Sequence, residues 1–199
     1  MAPPVILASA SRVRAEMLAA CGVPFTVDVA GVDEEAVRES MKAAGAEADE
    51  VAVALAELKA VRVSARHAEA LVIGADQMLA CGGRWFDKPA DAAHARAHLQ
   101  ALRGRSHELI TAAAVARNGG AIWRQVETAR LAMRPFSESF LDTYLAAAGA
   151  DALDSVGCYR IEGLGAQLFA RIDGSQFAIM GLPLLPLLGF LREHQVLGE

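Results

Sequence analysis

The chain has 199 residues, of which 54% are hydrophobic and 22% charged, and its formal net charge is −5. That length allows one large domain or two small lobes with a substantial core. The acidic balance argues against a general nucleic-acid binder but leaves room for a small phosphorylated ligand held by local cations.

Three widely spaced cysteines, Cys21, Cys81 and Cys158, form no CxxC pair. They exclude a zinc cluster or disulfide framework and fit a reducing cytoplasm. The first residues lack the basic start of a signal peptide. The apolar run near the C-terminus is cut by Pro183 and Pro186, so no stretch reaches the roughly 20 residues that span a membrane.

In chain order, Val5 to Ala8 predicts a short strand. Ser9-Ala10-Ser11 turns into a helix with Val13, Met17 and Leu18 on one face, ending at Cys21-Gly22. Phe25 to Val29 alternates as a second strand. An acidic turn over residues 31–35 contains Glu34, and an Ala-rich connection follows over 41–49. Residues 52–66 predict a strong helix with Lys59 among its apolar positions.

Leu71 to Ala75 reads as a buried strand broken at Gly74, with Asp76 just beyond it. Cys81-Gly82-Gly83 marks a hairpin ended by Asp87-Lys88-Pro89. A helix over 92–102 precedes strands at 107–117 and 121–133, joined by Asn118-Gly119-Gly120. Ser137 caps a helix over 138–148. Strands are expected at 159–161 and 167–172, then a loop, a short strand and a closing helix over 184–194. The mixture predicts an α/β fold with a mixed sheet.

Several residues suit chemistry. Asp76 at a strand end would stand at the rim of a cleft, where a carboxylate holds a divalent metal or takes a proton from water. A helix N-cap is the alternative. Glu34 would pair with it at a magnesium site. Ser9, Ser11 and Arg14 surround a helix start, which attracts phosphate, or they simply cap that helix. No Walker loop occurs. Lys59 and Lys88 are cations near these positions, or solvated surface residues with buried stems. Ser175 in the loop after Gly174 donates to phosphate or caps a turn. The Gly163-Leu164-Gly165 fragment lacks the rest of a dinucleotide fingerprint. The five histidines form no metal pattern.

Nine segments in order resemble the Maf family of nucleotide pyrophosphatases. They are Leu7 to Ser11 with Arg14, Val32-Asp33-Glu34, Leu55 to Ala60, Ile73 to Asp76, Lys88-Pro89, Ser106-His107-Glu108, Ile161-Glu162-Gly163, Ile172 to Ser175, and Gly181 to Leu184. The resemblance covers almost the whole chain and implies a single domain over residues 1–199. It implies a twisted mixed β-sheet flanked by helices, with two lobes around a deep cleft. It also implies hydrolysis of a nucleoside triphosphate between the α and β phosphates, a Mg2+ or Mn2+ requirement and a cytoplasmic homodimer; the acidic charge and the lack of a spanning stretch lead us to expect no nucleic-acid or membrane partner. The family is linked to clearing modified nucleotides and to septum formation.

By the same resemblance, Asp76 is the proton acceptor and Glu34 supports the metal. Lys59 and Lys88 meet phosphate charge, and Ser9 and Arg14 belong to the phosphate loop. Val13, Gln77 and Glu162 fall at specificity positions. Gln77 and Glu162 resemble the branch that prefers 7-methyl-GTP, but Val13 stands where that branch often has an aromatic. Two further departures are Arg12 and Val13 in place of Pro-Arg, and Asp87 where Gly usually precedes the Lys-Pro pair. A nucleotide-binding regulator of septum formation with little turnover is the competing reading, and an interaction domain on a relic fold is a third.

Overall fold

Seven strands form one sheet in the computed structural model, which describes residues 2–198. They are β1 (Val5–Leu7), β2 (Thr26–Val27), β3 (Leu71–Cys81), β4 (Arg84–Phe86), β5 (Ser106–Arg117), β6 (Gly120–Met133) and β7 (Phe169–Asp173). The order is β2-β1-β3-β5-β6-β7, with β4 also on β3. β1 runs parallel to β2 and β3, and the other pairs are antiparallel. The expected α/β class with a mixed sheet is therefore what the chain adopts. Asn118 and Gly119 both have positive φ, 52° and 76°, as the tight turn joining the twisted strands β5 and β6 requires.

The helices are α1 (Arg12–Ala20), α2 (Glu34–Ala43), α3 (Ala48–Ser64), α4 (Ala92–Leu102), α5 (Glu138–Ala148), α6 (Gln176–Ile179) and α7 (Leu184–Glu193). None is long and apolar enough to cross a membrane among the described residues. Alternation along β3 sorts them onto two faces. Leu71, Ile73 and Ala75 pack with Leu18 of α1 and Leu187 and Leu191 of α7. Further along the same face, Leu79 and Cys81 pack with Leu99 of α4 and Leu141 of α5. Two cores thus share one face, and the register pair Gln77 and Thr111 lies at the boundary between them. On the opposite face, Ala52, Ala56 and Ala60 of α3 meet Met78, Ile110, Ala112 and Ala114.

Gly74 does not end its strand. A Cβ there would lie 2.1 Å from the Ala56 carbonyl oxygen, so the missing side chain lets α3 settle onto the sheet. β3 consequently runs to Cys81, and Asp76 is a mid-strand residue rather than a helix cap. Four other expectations change. The acidic turn is the start of α2, because Asp33 accepts from the Ala36 amide and caps the helix. Only residues 44–47 remain of the Ala-rich connection. Residues 159–161 form no strand, and the segment after Ser175 is a helical turn.

One edge of β3 has an interruption that places the site. β1 pairs with it at Leu71–Ile73 and β4 at Leu79–Cys81. Between them, residues 74–78 have no strand beside them on that edge, just beyond the carboxyl end of the parallel strand β1. Open α/β sheets characteristically bind ligands at such a place.

Candidate active site

The cleft over this interruption has a volume of about 860 Å³. Its floor is Asp76, only 3% exposed, and Lys59, only 7% exposed. The Lys59 Nζ lies 2.8 Å from Asp76 Oδ1 and 2.8 Å from Glu34 Oε1, and 3.5 Å from the Ala75 carbonyl oxygen. One ammonium from α3 therefore ties the first residue of α2 to the middle of β3. The close seating of α3 over Gly74 makes that reach possible.

Asp76 Oδ2 is buried and has no partner among the described residues. An unpaired buried acceptor carries a desolvation penalty and calls for a ligand, water or ion.

The two carboxylates are driven apart in basicity. Burial raises the Asp76 pKa above the ordinary carboxylate value, against the attraction of Lys59 and Arg14 and with repulsion from Glu34. Burial also pushes on Glu34, but Lys59, Arg38 and Arg14 outweigh it and hold its pKa below the usual value. Glu34 thus stays ionised as a fixed charge while Asp76 becomes the more basic of the pair, a division of labour suited to proton transfer.

Arg14 fastens three segments together. Its Nε donates to the Gly181 carbonyl at 2.8 Å, and its Nη1 donates to the Ala75 carbonyl at 2.9 Å and to Ser9 Oγ at 3.1 Å. Burial draws its pKa below the ordinary guanidinium value, offset by Asp76 and Glu34; it remains a cation. Ser9 Oγ also accepts from the Ser11 amide, and Ser11 Oγ accepts from the Arg14 amide as the cap of α1. With Ser11 as its cap, the start of α1 lines the cleft.

Val13, Lys88, Gln77 and Glu162 also line the cleft. Gln77 has little freedom. Its Nε2 lies 2.8 Å from Thr111 Oγ1 and 3.0 and 3.1 Å from the Ala178 and Ile179 carbonyls, so it pins α6 to the sheet. Glu162 accepts from Arg160 Nε at 3.0 Å. Ser175 is not among the lining residues: its hydroxyl accepts from the Ala178 amide and caps α6. That is the turn-capping alternative.

Arg38 and Arg160 line the cleft too and were not singled out in the sequence. Arg38 follows Glu34 by four residues and accompanies it at 3.0 Å, a helical spacing that becomes visible only once residues 34–43 are read as a helix.

Among the described residues no group of three or more His, Cys, Asp or Glu side chains is arranged to hold a metal ion. A divalent cation here would have at most two carboxylates from the described residues. Mg2+ is commonly held by one or two carboxylates plus substrate phosphates and water, and the unpartnered Asp76 Oδ2 fits that requirement.

Fold and site together define an α/β protein with a cleft built around a lysine-bridged carboxylate pair. A family model described as Maf-like protein matches residues 4–194, and the chain belongs to the Maf family. It is 58% identical over 189 residues to a nucleoside triphosphate pyrophosphatase from Paramagnetospirillum magneticum, covering 95% of this chain and 97% of that one. It is 54% identical over 193 residues to a protein of the same description from Granulibacter bethesdensis, covering 97% and 98%. It is 47% identical over 193 residues to a 7-methyl-GTP pyrophosphatase from Rhizobium meliloti, covering 97% of each. The enzyme class expected from the sequence, a hydrolase of phosphoanhydrides, agrees with those descriptions.

Proposed function

We propose that the protein is a nucleoside triphosphate pyrophosphatase, hydrolysing the bond between the α and β phosphates to give a nucleoside monophosphate and pyrophosphate. The observation that carries this reading is Asp76: buried, made more basic by that burial, anchored through Oδ1 to Lys59, and free at Oδ2. A triphosphate carries roughly four negative charges, so cations must neutralise it before an oxygen nucleophile approaches. Lys88, the Arg14 guanidinium and the start of α1, all lining the cleft, supply that neutralisation, whereas Lys59 is already matched by Asp76 and Glu34.

Asp76 then takes a proton from a water molecule. The water oxygen bonds to the α phosphorus as the bond to the α–β bridging oxygen breaks, and pyrophosphate leaves with the electron pair. Lys59 orients Asp76, and Glu34 balances the ammonium without competing for the proton. Glu34 and Asp76 are the residues that would hold Mg2+ or Mn2+, which when bound would neutralise phosphate charge.

For the base, Glu162 would accept from the N1–H and N2–H₂ edge of guanine and favour a cationic methylated ring. Val13 offers only an aliphatic surface there, so the reading is 7-methyl-GTP within a broader range of triphosphates. In this reading the chain acts as one domain in a cytoplasmic homodimer.

The test is a product-resolved assay of 7-methyl-GTP, GTP, dTTP, UTP and CTP with and without magnesium. The expected result is metal-dependent pyrophosphate with a matching monophosphate. Orthophosphate alone, or tight nucleotide binding without turnover, would overturn the proposal in favour of another hydrolase or of a binding regulator.

A further inference from the structure

Arg38 and Asp87 face each other from different walls of the cleft: Arg38 on α2, Asp87 in the loop after β4 and immediately before Lys88. The Arg38 Nη2 donates to Glu34 Oε2 at 3.0 Å. The Nη1 lies 3.5 Å from Asp87 Oδ1, an ion pair without a hydrogen bond. The two side chains are unequally placed, Arg38 being 22% exposed and Asp87 70% exposed. The Arg38 Nε is buried and has no partner among the described residues. The guanidinium is thus firmly held on one side by Glu34, loosely held on the other by a solvated carboxylate, and still short of acceptors.

Resting on the pyrophosphatase reading, we infer that Arg38 is a further polyphosphate-binding residue and that Asp87 is its built-in competitor, a specificity-determining carboxylate that polyphosphate must displace. A phosphate oxygen offers Arg38 a stronger, charge-assisted partner than a solvated aspartate at 3.5 Å. An exposed ion pair of that kind shifts an equilibrium by about fivefold at most, so the displacement is easy but not free. Ligands with enough charge to satisfy both Arg38 and Lys88 offset it more fully than a monophosphate does. After cleavage the same carboxylate competes with departing pyrophosphate and promotes its release.

The experiment is a double-mutant cycle on the full chain, with binding of inorganic pyrophosphate read by calorimetry for wild type, D87N, R38Q and D87N/R38Q. D87N is expected to bind pyrophosphate about three- to fivefold more tightly than wild type, and this gain is expected to vanish when Arg38 is already replaced. An unchanged affinity in D87N overturns the inference. So does a gain of the same size in the R38Q background, because Asp87 would then act only as a negative charge beside Lys88. If wild type releases pyrophosphate from triphosphates but D87N binds no tighter, the inference alone fails. If wild type neither binds nor releases pyrophosphate, the reading of the cleft fails with it.

Discussion

Midway along the β3–β5 pair, Lys59 bridges two carboxylates and leaves Asp76 Oδ2 without a partner among the described residues. At one end of the pair, His107 on β5 is 1% exposed, its Nε2 is 2.7 Å from the Tyr159 hydroxyl, and the Tyr144 hydroxyl donates to the Cys158 carbonyl at 2.8 Å. Both places bury polar groups against the same strands. In the second, burial moves every group toward neutrality. The His107 pKa falls to about 4, the Cys158 thiol rises to about 12, and both tyrosines rise above their ordinary value. In the first, charges persist because each is paired, and the pairing stops one oxygen short. Burial by itself makes a quiet core. His107 Nδ1 also lacks a partner among the described residues, so what sets the first place apart is retained charge at a gap in a sheet edge, facing the cleft.

The sharpest way to break the comparison is to remove the incomplete partner. Asp76→Asn keeps the shape and loses the proton acceptor, so turnover should drop by about 10³-fold or more, with nucleotide binding retained and the melting temperature little changed. Lys59→Met tests the pairing. In wild type the acid limb of kcat/KM should lie above the ordinary aspartate value of 3.8, because Asp76 must be deprotonated to act and burial raises its pKa. Without Lys59 that limb should move to still higher pH as the remaining activity falls. An unmoved limb would take Asp76 out of the proton-accepting role.

The quiet core is tested through stability. Unfolded His107 titrates near 6.5, whereas folded His107 takes a proton only near pH 4. Below 6.5 the unfolded chain gains protons that the folded chain refuses. This contribution to stability is therefore whole above pH 6.5 and declines as pH falls toward 4, by roughly 3 kcal/mol in total. His107→Gln does not titrate, so the difference between the wild-type and variant unfolding free energies should narrow over that window. A constant difference, measured by urea titration at several pH values, would show that His107 is not held neutral.

These regions were unequally legible in the sequence. Hydrophobic periodicity and turn residues sufficed for α3, α4, α5 and the β5–β6 hairpin, since each is specified by its own neighbours. Lys59 and Asp76 stood out because each interrupts an apolar pattern. Their roles follow from a helix crossing a strand, and the clue, Gly74, reads locally as a strand end when its function is to admit the Ala56 backbone. Arg38 was hidden by the same kind of ambiguity. Acidic residues after Gly31 look like a turn until Asp33 is recognised as a cap. The Tyr159 segment alternates like a strand, yet Cys158 before it has a φ of 60°, a left-handed conformation that no periodicity records and that breaks any strand pairing there.

Ser175 gives the smallest effect and separates its two roles most cleanly. Its hydroxyl faces the Ala178 amide at 3.4 Å, at the start of a helix of only four residues. That helix carries the carbonyls to which Gln77 and Thr111 are bonded, and Gly181, just beyond it, holds Arg14. Losing a cap of this kind typically costs about 1 kcal/mol. Ser175→Ala should therefore lower stability by about that amount while KM for the triphosphate stays the same, because α6 is also fastened to the sheet by Gln77 and Thr111. A raised KM with unchanged stability would instead place the hydroxyl on the substrate, and the loop after Gly174 would have to move toward the cleft when nucleotide binds.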